Sequence, residues 1–194
     1  MVDATAVGLM EIVNFFETLT GKWFSQRTTH YVASQTSKAG QSNLLIEFLP
    51  HIDATVIKLC EELGQDASQV VCGLRINQDS RMDGETRSRQ TSSVMVALQP
   101  NDSHSGLLLQ KADAASKGSI GNYRLENEVL TIVTGTSTGQ AEERLWFLNP
   151  NLRMRTSVLK EADGVTLTSF CSEIRMGLNS PAKTTDGPME ASSS

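Results

Sequence analysis

The sequence lacks the paired cysteines and the long apolar runs that mark secreted and membrane proteins. Its 194 residues include only three cysteines, Cys60, Cys72 and Cys171, which lie far apart and form no CxxC pair. Such scattered cysteines, odd in number, do not build a disulfide framework, so we expect a reduced, cytoplasmic protein. No apolar run approaches the roughly 20 residues that a membrane-spanning helix needs. We therefore expect neither a membrane span nor a signal peptide.

Excess basic charge and the common catalytic motifs are missing as well. The formal net charge is −5, which argues against general binding to nucleic acid or anionic membranes, although an acidic protein can still hold a local basic site. The histidines and cysteines show no metal-ligand spacing, so no metal site is predicted. The sequence also contains no phosphate-binding glycine loop and no GxSxG motif.

Hydrophobic spacing predicts two helices in the first third of the chain. The first helix carries one apolar stripe, formed by Leu9, Ile12, Val13, Phe16 and Leu19. Gly21 is well placed to cap its C-terminal end. A second, short helix is predicted over about residues 53–63, with Asp53 as its N-cap and Gly64 as its stop.

Alternating and β-branched residues dominate the rest of the chain and predict about ten short strands. They cover residues 22–33, 43–49, 69–76, 86–98, 106–111, 119–125, 128–134, 142–148, 152–160 and 165–176. Asp163-Gly164 is a strong hairpin signal between the last two strands. Because a serial meander hides its edges by closing on itself, we predict an all-β, closed antiparallel barrel with an N-terminal helix. A barrel of this size is filled by side chains or holds one small ligand.

The predicted helices and strands form a single domain over residues 1–177. The remainder, 178–194, is rich in proline, serine, threonine and glycine and has little to bury. We expect this segment to be a disordered tail.

Two arginines on the ninth predicted strand raise the question of which way that strand faces. Arg153, Arg155 and Ser157 share one face, because side chains on a strand alternate between its two sides. The arginines either project outward and pair with glutamates, or point inward at an anionic partner such as a ligand carboxylate. The residues alone leave both readings open.

Neighbouring strands carry mixed polar and apolar faces, where a solidly packed barrel would have one apolar face on each strand. On the preceding strand, Glu142 and Trp146 share a face, and on the last strand Glu173 lies among serine and cysteine. Mixed faces are typical of a wet cavity with a few placed charges. The pattern therefore predicts a small, negatively charged, partly apolar ligand, without naming it.

Five strings carry a resemblance when they are taken together and in order. They are Phe15-Phe16, GKWFSQRTTH at 21–30, EERLWF at 142–147, NPNLRMRTS at 149–157 and SFCSEIR at 169–175. Together they are similar to the S/U-type phycobiliprotein lyases, the bilin chromophore lyases of cyanobacteria and algae. The resemblance spans about residues 15–175 and is more specific than any one string.

This resemblance implies a fold, a ligand and a reaction. The fold is a barrel like those of lipocalins and fatty-acid-binding proteins. The ligand is an open-chain tetrapyrrole such as phycocyanobilin, which is bound as a substrate, so no resident cofactor is expected. Arg153 and Arg155 then face inward and hold its propionates. The attacking thiol belongs to a cysteine of an apo-phycocyanin or apo-allophycocyanin subunit, and the protein acts mainly by positioning the bilin.

The resemblance also suggests roles for further residues. Glu173 is the first candidate for a catalytic carboxylate near the pyrrole nitrogens, and Glu142 is the second. Trp146 is expected to pack on the conjugated system. Three further ligand-binding candidates match motif positions and line the pocket or its mouth: Ser157, Arg27 and His30. For Trp146 and these three, a purely structural role is the alternative.

Two departures from the family pattern point to a partner subunit. The stretch 72–84 after Cys72-Gly73 contains no aromatic residue, where S-type members carry tryptophans, and His30-Tyr31 stands where the family often has two histidines. The chain therefore resembles most the U-type subunit, which works in a complex with an S-type lyase; a homodimer is the other possibility. The alternative function is a non-catalytic carrier of a bilin or another amphiphilic acid that stabilises a lyase partner.

Overall fold

The computed structural model of the chain describes residues 4–177, and the predicted tail at 178–194 lies outside them. The helices are α1 (Ala4–Leu19) and α2 (Ala54–Glu62), followed by a short 3₁₀ turn at Ala67–Gln69. The strands are β1 (Gly21–Tyr31), β2 (Thr36–Pro50), β3 (Val70–Met82), β4 (Arg89–Pro100), β5 (Ser105–Lys111), β6 (Ser119–Glu126), β7 (Val129–Gly135), β8 (Gly139–Asn149), β9 (Leu152–Glu161) and β10 (Gly164–Arg175).

The ten strands form one closed antiparallel barrel, which confirms the predicted fold. Each strand pairs with the next along the chain, and β10 pairs with β1 to close the sheet. Two strands extend furthest beyond their predicted bounds: β2 begins at Thr36 rather than at residue 43, and β3 continues to Met82 rather than ending at residue 76. The additional residues are mostly polar, so the ladder with neighbouring strands holds them in place without a hydrophobic signal.

Helix α1 closes one end of the barrel. Phe16 and Leu19 of the predicted stripe are buried, and Phe15 joins them, whereas Leu9 is partly exposed. The ring of Phe15 meets that of Phe147 edge-on, with ring centroids 5.6 Å apart. This end of the interior is therefore a packed apolar core.

Helix α2 lies on the outside of the barrel, and its ends agree with the predicted caps. The Asp53 side chain accepts a hydrogen bond from the backbone N–H of Thr55 (2.7 Å), and Gly64 follows the helix with a φ of +66°. Val56 packs towards Gly73 of β3, where an added Cβ would lie 2.9 Å from its methyl carbon. The glycine thus allows α2 to approach the sheet and bury a second apolar cluster. No helix within residues 4–177 is long and apolar enough to cross a membrane.

The opposite end of the barrel is formed by the turns β1–β2, β3–β4, β5–β6, β7–β8 and β9–β10, and we call it the mouth. Interior positions become polar towards it, as at Thr29, Gln78 and Ser157. The barrel interior is therefore apolar where α1 closes it and polar towards the mouth.

Candidate functional site

The register of the last three strands brings the candidate charges together. Arg153 of β9 lies opposite Glu173 of β10, and Glu173 lies opposite Ser25 of β1. Partners in an antiparallel pair share a face. Arg155, two residues along β9, therefore points to the same side as Arg153, and that side is the barrel interior. The two arginines face inward.

Glu173 joins the two arginines into one buried cluster. One carboxylate oxygen accepts from Nε of Arg153 at 2.5 Å, and the other accepts from Nη2 of Arg155 at 3.2 Å. The second oxygen also accepts from the Ser25 hydroxyl at 3.1 Å. Glu173 is 0% exposed. A carboxylate this deeply buried is tolerated because it is fully paired and hydrogen-bonded.

The ion cluster sets the charge of its members. Burial by itself would raise the pKa of Glu173, but Arg155 and Arg153 outweigh it and lower that pKa, so the group is a carboxylate at neutral pH. Burial opposes the charge of Arg155, yet Glu173 and then Glu143 raise its pKa above the ordinary value. The Arg153 guanidinium also stays charged beside Glu173. The cluster therefore holds two positive charges and one negative charge.

Arg153 is locked in place at the α1 end of the cluster. Its guanidinium carbon lies 4.3 Å from the centroid of the Trp23 ring, and its side chain is 3% exposed. Arg175 stacks on the same ring at 4.2 Å and donates to the carbonyl oxygen of Thr20 at 2.6 Å. These contacts leave Arg153 little freedom to reorient towards a ligand.

Arg155 has hydrogen-bond donors left for a ligand. Its side chain is 29% exposed, and its Nη2 donates hydrogen bonds to Glu173 and to the sulfur of Cys171. Its buried Nε has no hydrogen-bond partner among the described residues. An unpartnered guanidinium donor beside an open cavity is suited to bind a carboxylate.

The cavity in front of Arg155 has a volume of about 360 Å³, within the range of small-molecule sites. One side is apolar and is formed by Leu44, Ile46, Leu74, Ile76, Met95, Leu130 and Ile132. Glu143 of β8 lines the other side close to Arg155, and Lys117 lines the cavity at the mouth. The lining therefore suits an extended amphiphile that carries at least one anionic group.

The structure gathers five of the predicted site residues on the interior face. They are Arg153, Arg155, Ser157, Glu173 and Arg27. The Ser157 hydroxyl lies 2.7 Å from that of Ser169, and Nη2 of Arg27 donates to the sulfur of Met82 at 3.6 Å. Ser157 and Arg27 thus lie between the ion cluster and the mouth.

Three other predicted residues lie on the outer face of the barrel, which corrects their expected position. Trp146 lies opposite Met154, and Glu142 lies opposite Val158. The inward positions of β8 belong to Glu143 and its alternating neighbours, because the apolar members of that set pack in the core. His30 is exposed and contacts the Ser37 hydroxyl at 2.6 Å.

Glu173 does not line the cavity, and its predicted role as a carboxylate near the pyrrole nitrogens stays a prediction. Both carboxylate oxygens are occupied, and the residue lies behind the arginines rather than on the cavity wall. Sequence reasoning missed Glu143, the carboxylate that lines the cavity. Trp23 and Ser25 were visible as face-sharing neighbours of Arg27, but nothing in the sequence marked them as supports of the cluster.

Sequence comparisons match the chain to a family of known proteins. The model of the CpeS-like protein family matches residues 11–176. The chromophore lyase CpcS/CpeS of Thermosynechococcus vestitus is 40% identical over 176 residues, which cover 89% of this chain and 97% of that protein. The phycocyanobilin lyase subunit CpcS of a Picosynechococcus species is 32% identical over 167 residues, or 84% of either chain.

A solved structure matches the barrel as a whole. The S-type phycobiliprotein lyase CPES from Guillardia theta superposes with a TM-score of 0.75 at 26% sequence identity. The match covers 89% of this chain and 96% of that one.

Proposed function

The chain belongs to the CpeS-like family, and from this premise we propose that it is a bilin lyase or a subunit of one. In this proposal it binds an open-chain tetrapyrrole inside the barrel and assists its thioether attachment to a phycobiliprotein cysteine. Family membership confirms the resemblance carried by the five sequence strings. The U-type assignment within the family remains a prediction.

The observation that carries the proposal is the guanidinium of Arg155 beside a largely apolar cavity, with its Nε unpartnered among the described residues. A bilin has two propionates on a conjugated, largely apolar body. Arg155 offers donors to one propionate, and the aliphatic wall around Leu74 and Ile132 offers a surface to the body. Lys117 at the mouth offers a second positive charge to the other end of the ligand.

Within the proposal, Glu173 and Arg153 are positioning residues. Glu173 holds Arg155 through the 3.2 Å contact, and Arg153, which stacks on Trp23, holds the other oxygen of Glu173. Because these groups are prearranged, no side-chain reordering is needed when the ligand enters. We assign to Glu143, instead of Glu173, the carboxylate role beside the pyrrole nitrogens, since it lines the same cavity.

The attacking thiol comes from the acceptor protein. Its thiolate adds to the ethylidene carbon of bilin ring A, a C–S bond forms, the displaced π electrons move into the tetrapyrrole, and the bilin takes up a proton. Nothing leaves in this step. All three cysteines of the chain are buried, and burial raises the pKa of Cys72 to about 12, so none of them is suited to compete for the bilin.

The proposal also names a bilin, its acceptor proteins and an assembly partner. Phycocyanobilin as the substrate is supported by the similarity to a phycocyanobilin lyase subunit. That the chain has no resident cofactor is part of the proposal. Subunits of apo-phycocyanin or apo-allophycocyanin are the proposed acceptors, and an S-type lyase subunit or a second copy is the proposed assembly partner. The reduced, buried cysteines are consistent with a cytoplasmic site of action.

Reconstitution tests the proposal. Phycocyanobilin and apo-phycocyanin β subunit are incubated with the chain, with and without an S-type subunit, and bilin that survives denaturation is measured. We expect attachment above the level given by the S-type subunit alone. Arg155→Met removes the free donors and should lower this attachment about 10- to 100-fold, the effect of losing a charge-assisted hydrogen bond of ~1.5–3 kcal/mol.

The alternative function, a non-catalytic carrier, makes a different prediction in the same assay. A carrier binds phycocyanobilin through Arg155 but adds nothing to attachment by the S-type subunit. Bilin binding without any enhancement would therefore replace the lyase proposal with the carrier. The outward position of Trp146 favours neither function, because in this structure the residue reaches no ligand in the barrel.

A further inference from the structure

A second concave surface lies at the closed end of the barrel, and we call it the α1 groove. It runs between the exposed side of α1 and the turns β6–β7 and β8–β9, and its volume is about 690 Å³. Its lining includes Glu11, Phe15, Phe147, Leu148 and Glu128. The bilin lyase proposal uses none of these residues.

The floor of the α1 groove is apolar and is continuous with the core. Phe15 and Phe147 pack edge-on within the core below it, and Leu125 is 7% exposed beside them. Leu148, by contrast, is 60% exposed and adds accessible apolar surface at the edge of the floor. Val7 lies four residues before Glu11 on the same side of α1 and is 40% exposed, so it extends the apolar surface.

The rim of the α1 groove is acidic. Glu11, Glu126 and Glu128 surround the floor. Arg124 donates to Glu126 at 3.1 Å, and the imidazole of His104 lies 4.0 Å from Glu11. Glu128 has no ion pair within the described residues, and the nearby Arg175 guanidinium is engaged with backbone carbonyls, among them that of Pro150.

The β6–β7 turn holds part of this rim in an uncommon conformation. Asn127 and Glu128 both have positive φ, +50° and +62°. A two-residue hairpin needs this geometry, but glycine or asparagine usually supplies it, and a glutamate there costs backbone energy. The chain thus keeps a charged side chain at the groove where a glycine would fit the turn better.

We propose that the α1 groove docks a basic amphipathic helix of a partner protein. Its apolar side chains pack on the floor beside Leu148, and its lysines or arginines meet Glu11 and Glu128. The acidic rim repels nucleic acid and anionic membrane surfaces. Because the barrel is closed, no strand edge is available for an extended peptide to join by strand addition. A helix with one apolar face and basic flanks matches the apolar floor and the acidic rim.

The α1 groove lies at the other end of the barrel from the mouth. A helix docked there leaves the cavity in front of Arg155 accessible. The groove therefore suits a partner that holds the protein in an assembly while the mouth serves the bilin and its acceptor. Docking and bilin binding are separable, so either can fail without the other.

Fluorescence anisotropy with the full chain tests the inference. The probe is a labelled synthetic helix that has leucines along one face and lysines along its flanks; a matched peptide carries glutamates in place of the lysines. We expect only the lysine peptide to bind. Glu11→Lys combined with Glu128→Lys should weaken its binding roughly tenfold or more.

Two controls separate the groove from general charge. Glu85→Lys combined with Asp163→Lys makes the same change in net charge on turns at the mouth and should leave peptide binding unchanged. Leu148→Asp should abolish peptide binding while phycocyanobilin binding stays at the wild-type level.

Four results would overturn the proposal. Equal binding of both peptides, or no effect of the charge reversals at Glu11 and Glu128, would mean that the floor binds apolar peptides nonspecifically. A dimer in sedimentation that Leu148→Asp dissociates would assign the groove to a second copy. Peptide binding that emerges only when residues 178–194 are deleted would assign it to the chain's own tail.

Discussion

Two parts of the barrel wall differ in the side chains that they bury, although in both parts the side chains alternate between the inner and the outer face. Near the α1 end, both faces of β3–β5 are apolar: Leu74 and Leu108 point inward, while Val96 and Leu109 lie under α2. In β9, β10 and β1 the interior face carries Arg153, Arg155, Glu173 and Ser25 instead. The first part is built for stability, because burying apolar surface is the main stabilising contribution to folding.

The second part of the wall costs stability. Desolvating two guanidinium groups and a carboxylate is unfavourable, and an apolar replacement of a buried ion cluster is often neutral or stabilising. We therefore interpret the polar wall as a prearranged ligand site. The apolar wall supplies the folding stability that the polar wall does not. A single truncation should destabilise either wall, but for different reasons: an unpaired buried charge in the polar wall and a cavity in the apolar wall.

The largest expected effect is on the polar wall. Glu173→Ala leaves Arg153 and Arg155 buried without their anion and should lower the free energy of unfolding by about 3–5 kcal/mol. Urea denaturation measures this. Glu142→Ala, on the outer face, is the matched control and should change stability by no more than about 0.5 kcal/mol. Equal effects of the two substitutions would remove the distinction between the faces.

On the apolar wall, Leu108→Ala should cost about 2–5 kcal/mol because it opens a cavity at a fully buried position. Leu45→Ala, at a leucine that is 40% exposed on the outer face, should cost much less. Thermal and urea unfolding give both values. A small effect at Leu108 would show that this wall is loosely packed and would weaken the contrast.

The pH dependence of the free energy of unfolding should reflect the ionisation of Glu173 in the ion cluster. The folded pKa of Glu173 lies below its ordinary value of 4.5, so its contribution is fully present above that value and is lost as the pH falls through the folded pKa. Glu173→Gln removes this ionisation. We expect the wild type to lose more stability than the variant on acidification below about pH 4.5. Parallel stability curves would contradict an ionised, paired Glu173.

The smallest effect concerns the cap of α2. Asp53→Ala removes the hydrogen bond to the Thr55 N–H and should cost about 1 kcal/mol. Asp66→Ala removes a similar bond at the three-residue turn Ala67–Gln69 and should cost less, because that turn buries nothing. Urea denaturation compares the two variants. If Asp53→Ala had no effect, the link between α2 and the stability of the apolar wall would be wrong.

The fold could be predicted from sequence because its signals are local. The hairpin at Asp163-Gly164, the Asp53 cap and the α1 stripe each depend on residues a few positions apart. The extensions of β2 and β3 were missed because their residues carry no alternation. Their strand conformation comes from pairing with neighbours that are distant in the sequence.

The site could be predicted only in part, because the register between strands decides which side chains point into the barrel. Arg153 and Arg155 share a face within one strand, which the sequence shows. Whether Glu143 or Glu142 joins them depends on how β8 pairs with β9, and a shift of one residue exchanges the two. The depth of Glu173 behind the arginines is likewise a tertiary property.

Bilin affinity tests the central claim most directly: that the polar wall holds an anionic ligand through Arg155. Phycocyanobilin is titrated by absorbance into the wild type, Arg155→Met and Arg144→Met, the last an exposed arginine on β8. We predict that Arg155→Met binds about 10- to 100-fold more weakly and that Arg144→Met matches the wild type. Wild-type affinity in Arg155→Met, or a loss confined to Arg144→Met, would contradict the account.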